Sequence, residues 1–321
     1  MLSPLVKFKD QTSVLSDNIA RQGLAIEADP ATTPLRSGAT QLFLANIDVK
    51  LDFQQKIYWA AMRPSLRPII TMELLKDMLS IHESVRVIME EGQHKQKHIE
   101  YFVAASQTPG VYNLGGDLAY FAKCIRAKDK AGLQNYAYTC IDVVYANAMA
   151  FHTPLITIAL VQGDALGGGF ECALSFDVLV AERNAKMGLP EILFNLFPGM
   201  GAYSLLARKI GTAAAEKIIM SGKVYTAEEL YDLGVVDVLA EDGEGEIAVR
   251  DYIARNRRKH NAHSAIYCSR RRVNPLTYEE LRDIVDIWID AALDLDEQDL
   301  RKMVRLTAAQ ERRLASSRPS A

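Results

Sequence analysis

Two glutamates and two glycine clusters are the parts of this 321-residue sequence whose types and spacing speak of chemistry. Glu171 follows Gly167, Gly168 and Gly169, and these follow Val161-Gln162-Gly163-Asp164-Ala165-Leu166. The apolar, partly β-branched run at 155–161, bounded by Pro154 and Gly163, predicts a buried strand. The glycines predict a sharp turn into a helix, with backbone that can pass very close to another group. Uncovered N–H groups at a helix start, aided by the helix dipole, stabilise developing negative charge. That is half of an oxyanion hole. Glu171 lies one turn into the helix; it faces the same space, or it is a solvated first-turn acid of a glycine turn that packs helix on strand.

A second junction of the same kind lies upstream. The run at 99–105 is strand-like and leads to Val111-Tyr112-Asn113-Leu114-Gly115-Gly116-Asp117, after which Leu118, Phe121, Ala122 and Ile125 recur at helical spacing. Gly116 would present a second bare N–H, and Asp117 suits the helix N-cap. A carbonyl oxygen becoming an oxyanion needs two donors that converge from different chain segments. Glu191 stands between Pro190 and the apolar run Ile192-Leu193-Phe194, where an acid either caps a helix start or points into a protected site. Two carboxylates in one apolar pocket cannot ionise independently, so one keeps a proton while the other is a base, a division suited to acid–base work beside a carbonyl. Gly199-Met200-Gly201 lacks the third glycine of a dinucleotide fingerprint and does not directly follow a strand.

Composition frames these residues. With 49% hydrophobic and 24% charged residues the chain can bury a sizeable core, and its net charge of −3 argues for neither a nucleic-acid partner nor a membrane surface. No window reaches the length of a membrane span, and residues 1–10 carry charge without a long apolar core, so a cytoplasmic protein is expected. Cys124, Cys140, Cys172 and Cys268 follow no metal or disulfide spacing and read as reduced thiols. Cys172 adjoins Glu171, but no histidine is placed to activate it, and core is the expected role. His94 and His98 are four apart without a third ligand, so no metal is expected.

The elements that must position the site divide the chain in three. Residues 1–40 read as an N-terminal arm, 41–250 as the catalytic core, and 251–321 as a helical C-terminal oligomerisation or lid region. The stretch 41–49 reads as a strand with 57–62 as its neighbour, and 71–90 as one or two amphipathic helices. Thr226-Ala227-Glu228-Glu229 and Thr277-Tyr278-Glu279-Glu280 read as capping boxes. After the second, Leu281, Ile284, Val285, Trp288, Ala292 and Leu295 form a stripe that needs its own core or a neighbouring subunit to cover it; Leu300, Met303, Val304 and Leu306 extend the pattern.

Taken together, G-G-D-L at 115–118, Q-G-x-A-L-G-G-G-F-E at 162–171, G-L-P-E-I-L-F at 188–194 and F-P-G-M-G-A at 197–202 resemble the crotonase (enoyl-CoA hydratase/isomerase) superfamily. V-Y-N-L-G-G-D-L, G-G-G-F-E-x-A-L-S and L-F-P-G-M-G-A-Y-S resemble in particular the bacterial diffusible signal factor synthases, and the likeness runs over about residues 55–315. The resemblance implies an α/β fold, a spiral of ββα repeats with a helical C-terminal region, assembled as a homotrimer or a dimer of trimers. Carried over by position, it implies oxyanion donors at Gly116 and Gly168, an acid–base pair at Glu171 and Glu191, and substrate contacts at Gly115, Gly167, Met187, Leu189 and Met200. It implies no cofactor.

For the synthases the resemblance implies a 3-hydroxyacyl group on acyl carrier protein, dehydrated to the cis-2-enoyl thioester and then hydrolysed to the free acid. A plain enoyl-CoA hydratase is the alternative: it would use the same four residues on a coenzyme A thioester and release no acid. A binding protein for a signalling partner such as a membrane sensor kinase, with an idle pocket, is a third reading. The basic residues Arg255, Arg257, Arg258, Lys259, Arg270, Arg271 and Arg272 read as a solvated helix face, or as an attractor for an acidic carrier protein or a pantetheine phosphate.

Overall fold

Strand pairing in this computed structural model, which describes residues 35–37, 40–42, 44–95 and 99–316, begins with a short antiparallel hairpin of β1 (Leu35–Ser37) and β2 (Thr40–Leu42). The rest of the expected arm lies outside the described residues. The stretch 41–49 is not one strand, because the backbone N–H and the side chain of Asn46 both donate to Asp77 Oδ2, at 2.7 and 3.0 Å, and bend the chain there. β3 (Ile47–Asp52) then pairs antiparallel with β4 (Ile57–Met62). A single helix, α1 (Met72–Lys95), fills the region where periodicity left one or two.

From here the chain repeats one pattern. β5 (Tyr101–Ser106) joins a large sheet, β6 (Gly110–Asn113) a small one, and helices α2 (Leu118–Arg126) and α3 (Lys130–Ala148) follow. Next come β7 (Ile156–Val161), β8 (Gly163–Leu166) and α4 (Gly168–Leu174). The third turn is β9 (Val178–Glu182), β10 (Lys186–Gly188), a 3-10 turn at Pro190–Phe194, then α5 (Ala202–Ile210) and α6 (Thr212–Ser221). β11 (Val224–Thr226), α7 (Ala227–Asp232) and β12 (Val238–Ala240) complete the sheets. The large sheet runs β12-β9-β7-β5-β4-β3 and the small one β11-β10-β8-β6. β5, β7 and β9 pair in parallel in the first, β6, β8 and β10 in the second, which is the expected spiral of ββα turns.

Side-chain alternation along the large sheet supplies two cores. Phe102, Ala159, Val161 and Leu179 face inward to Tyr112, Phe170 and Met187. Tyr101, Ile158, Leu160 and Val180 face outward, where Val249 and Ile253 of α8 (Gly245–Asn256) cover them. The boundary expected near residue 250 thus falls within a helix that seals this sheet. Beyond it come α9 (His260–Val273), α10 (Tyr278–Leu293) and α11 (Glu297–Ser316).

The stripe of α10 packs on α3 of its own chain. Leu281, Val285, Trp288 and Ile289 join Leu133, Tyr136 and Val144 in a third apolar cluster, with Leu300 and Met303 of α11; Val304 is exposed. Polar pairs flank the contact, Tyr138 with Asp286 at 2.6 Å and Tyr278 with Asp142 at 2.8 Å. The capping box of α7 is complete, since Thr226 Oγ1 accepts from Glu229 N–H and Glu229 accepts from Thr226 N–H. That of α10 is half made: Thr277 accepts from Glu280 N–H, but the Glu280 side chain turns to Arg208 at 2.6 Å.

Candidate active site

Parallel register in the small sheet decides where the glycines meet. Asn113 stands opposite Ala165, and Leu166 opposite Gly188, so the residues after β6, β8 and β10 leave the sheet side by side. A Cβ on Gly115 would lie 2.7 Å from Leu166 O and 3.1 Å from Gly168 N, and one on Gly169 would lie 2.2 Å from Asn113 O. Only glycine allows these backbones to touch.

Gly116 and Gly168 are the outcome of that contact. A Cβ built on Gly168 lies 3.5 Å from Gly116 N, and neither residue's N–H has an acceptor among the described residues. Gly116 is steadied by its neighbours. Ile70 N–H donates to Gly115 O at 2.7 Å, Gly115 N–H to Asn113 Oδ1 at 2.8 Å, and Tyr136 O–H to Ile70 O at 2.6 Å. Asp117 caps α2 by accepting from Tyr120 N–H at 3.1 Å. Two donors from different segments, both uncovered, are what an oxyanion needs.

Glu171 and Glu191 reach the same cavity from different turns. Glu171 is buried, 2% exposed, and is not the solvated acid that its helix position also allowed. Its Oε1 accepts from Met200 N–H at 2.8 Å and Ala202 N–H at 3.0 Å, at the start of α5, where the helix dipole favours an anion. Glu191 sits in the first turn of the 3-10 segment without capping it. Its Oε2 is buried and has no hydrogen-bond partner among the described residues. Burial pushes both carboxyls above the ordinary glutamate range; in Glu171 the two N–H donors oppose it, while in Glu191 the nearby Glu171 adds to it. Geometry and charge therefore favour the anion on Glu171 and the proton on Glu191.

The remaining lining is mostly apolar, including Leu75, Leu118, Phe121, Val143, Phe194 and Trp288, a surface that suits an acyl chain. Met200 lines it and also lends its N–H to Glu171. Gly115 and Gly167, expected at the substrate, do not line the cavity; they pack behind it, where an added Cβ would meet Gly168 N at 3.1 Å and Glu191 Oε1 at 2.6 Å respectively. Met187 and Leu189, expected at the substrate, are fully buried in the main core and do not line the cavity. The reason is register: Met187 lies in β10 between Ala165 and Tyr225, with its side chain turned into the sheet core. Cys172 lines the cavity, but burial pushes its thiol up to about 12, so it supplies no thiolate.

Trp288 and Gly199 belong to the site although the sequence reads the first only as part of a helix stripe and the second only as part of an incomplete dinucleotide fingerprint. A Cβ on Gly199 would lie 2.4 Å from the Trp288 ring, so the glycine makes room for the indole at the cavity. The signal was present as a tryptophan on the stripe of a C-terminal helix, yet nothing local says that this face meets residue 199.

The basic cluster lies elsewhere. α8 and α9 flank the outer face of the large sheet, across it from the cavity. Arg270 and Arg271 pair with buried Asp177, each at 2.7 Å, so these two serve the fold. His98 and the side chain of His94 lie outside the described residues, and among those described no group of His, Cys, Asp and Glu is arranged to hold a metal. No described helix is long and apolar enough to cross a membrane.

Residues 81–268 match the enoyl-CoA hydratase/isomerase family. The chain is similar to rat mitochondrial methylglutaconyl-CoA hydratase, 34% identical over 155 residues that cover 48% of this chain and 47% of the relative. It thus spans about half the length of the curated relatives it matches. Among solved structures, human mitochondrial delta3-delta2-enoyl-CoA isomerase has the same fold at 14% identity, with a TM-score of 0.67 over 84% of this chain and 99% of that one. Pseudomonas aeruginosa DspI does so at 23% identity, with a TM-score of 0.62 over 85% and 98%.

Proposed function

The chain belongs to the enoyl-CoA hydratase/isomerase family, and from that premise we propose that it adds or removes water across the α,β bond of an acyl-CoA thioester. One observation carries the reading: two glutamates in unlike environments share an apolar cavity with two uncovered N–H donors. With the thioester oxygen between Gly116 and Gly168, enolate charge that develops during the reaction falls where those donors point. Glu171, the anion, takes a proton from water as its oxygen bonds to Cβ; Glu191, the acid, delivers a proton to Cα. Elimination runs the same steps backwards, with Glu191 taking the α-proton and Glu171 protonating the departing hydroxyl.

The finer reading is dehydration of a 3-hydroxyacyl group on acyl carrier protein followed by hydrolysis to a free cis-2-enoic acid. It is supported by the likeness of V-Y-N-L-G-G-D-L and L-F-P-G-M-G-A-Y-S to the signal factor synthases. The same oxyanion hole suits the tetrahedral intermediate of thioester hydrolysis, with water as the nucleophile.

Mass spectrometry of purified protein tests both. A 2-enoyl-CoA thioester should gain one water at Cβ, and neither hydration nor dehydration of any acyl thioester would overturn the proposal. Release of free 2-enoic acid from 3-hydroxydodecanoyl acyl carrier protein would select the finer reading, and enoyl thioester without acid would exclude it.

A further inference from the structure

Glu191 holds its carboxyl in the cavity with no hydrogen bond at Oε2, so its position is set by the backbone that carries it. That backbone is the 3-10 turn Pro190–Phe194, which ends at Asn195 in the left-handed conformation, φ 61°. Within the turn, Asn195 N–H donates to Ile192 O and Leu196 N–H to Glu191 O, both at 3.1 Å. The Asn195 side chain leaves the turn. Its Nδ2 donates to Asp299 Oδ2 at 3.0 Å, 104 residues further along the chain. Among the described residues this is the only side-chain hydrogen bond from the turn to another element.

Asp299 is well placed to receive it. It is 7% exposed and lies in the first turn of α11, where its own N–H donates to Asp296 Oδ1 at 2.9 Å. The same helix start is tied to α2 by the Arg126–Glu297 pair at 2.8 Å. α11 is therefore anchored independently of the turn, and it can hold the turn in one place.

We propose that Asn195 and Asp299 form a latch by which the C-terminal helix sets the position of Glu191, making both of them positioning residues for the proton transfer. The inference rests on the acid–base role proposed for Glu191. A displacement of about 1 Å at a reacting group can cost roughly a hundredfold in rate. Loosening the latch should thus act on turnover and leave thioester binding, which uses Gly116, Gly168 and an apolar wall supplied mostly from outside the turn, by Leu75, Leu118, Phe121, Val143 and Trp288, largely intact.

Asn195→Gly keeps the left-handed backbone and deletes the donor. Asp299→Ala deletes the acceptor. The double exchange Asn195→Asp with Asp299→Asn rebuilds the bond with donor and acceptor reversed. The carboxyl of Glu171 and the thiols of Cys140 and Cys172 face the same cavity and stay unchanged in all three. Steady-state kinetics with 2-enoyl-CoA should show kcat lowered about ten- to a hundredfold in each single variant, with KM within about twofold and most of kcat recovered in the exchange. Wild-type kcat in both single variants, or an exchange no better than either, overturns the latch once circular dichroism shows native folding.

Glu191→Gln is run beside them so that the two ideas fail separately. If it turns over like the wild-type protein, or the wild-type protein does not turn over, the proposed function fails. The latch is then judged by 13C NMR of the Glu191 carboxyl, assigned from its loss in Glu191→Gln. Titration moved towards that of a free glutamate in Asn195→Gly upholds the latch, and an unmoved titration overturns it.

Discussion

A side chain on Gly167 and the carboxylate of Glu191 would occupy the same space: a Cβ at residue 167 would lie 2.6 Å from Glu191 Oε1. The glycine that turns the chain into α4, at φ +51°, is therefore also a wall of the acid–base site. Gly167→Ala should push Glu191 aside, and its strained backbone also bears on the adjoining Gly168 N–H. We expect kcat for hydration to fall by about a hundredfold. Gly110→Ala is the control, since its φ of +69° carries backbone strain but nothing lies within 4 Å of the added methyl. It should lower Tm without a comparable loss of kcat.

Glu171→Gln and Glu191→Gln each remove one proton carrier and keep the shape of the side chain. Each variant should fold, bind thioester and lose about two to four orders of magnitude in rate. Hydration near the wild-type rate in both variants would falsify the site assignment.

The same substitution has an opposite effect on stability. Burial raises the Glu191 carboxyl above its unfolded value, so the folded state binds the proton more tightly. Its contribution to stability is fully present below the unfolded value of about 4.3 and is lost as pH rises through the raised folded value. Glu191→Gln removes that loss. Thermal melts should give a higher Tm than wild type at pH 8, with the gap closing at pH 4.

The pH–rate profile follows from the pair. Activity needs one carboxylate and one carboxyl, so both limbs of the bell belong to the coupled pair rather than to either residue. Burial displaces the pair upward, so the alkaline limb should lie well above the ordinary glutamate range. In Glu191→Gln the residual rate should lose that limb, because the carboxyl that must keep its proton is gone and the raised carboxyl of Glu171, needed as the anion, gives only the acid limb. A residual rate that keeps the wild-type alkaline limb would assign the limb to another group.

Trp288 lines the cavity from α10. Trp288→Ala should shift kcat/KM towards longer or branched acyl chains in a series of 2-enoyl thioesters, at a cost of about 3–5 kcal/mol in stability. Unchanged chain-length preference would place the end of the acyl site elsewhere.

Much of the site was legible in the sequence because its parts are local. Three glycines before Glu171 announce a close-packed helix start, and Asp117 after Gly115 and Gly116 announces a second. Their chemistry needs only residue type and spacing. Met187 and Leu189 misled for the opposite reason: an apolar residue beside a catalytic one can point to either side of a strand, and a three-residue strand such as β10 is too short to show alternation. The stretch 41–49 read as continuous because nothing local reveals that Asn46 bends towards Asp77.

What the sequence determined by itself was the set of candidate acid–base and donor residues and the strand–glycine–helix junctions, while the repeating ββα order came through the family resemblance. Tertiary structure decided which groups meet and what state each is in. The parallel register of β6, β8 and β10 puts Gly116 beside Gly168, and the start of α5 gives Glu171 two donors that Glu191 lacks. It also turned the stripe of α10 onto its own α3 and set the basic cluster across the sheet from the cavity. Those outcomes depend on contacts between residues far apart in the chain. Burial, register and proton affinity arise only when such contacts form.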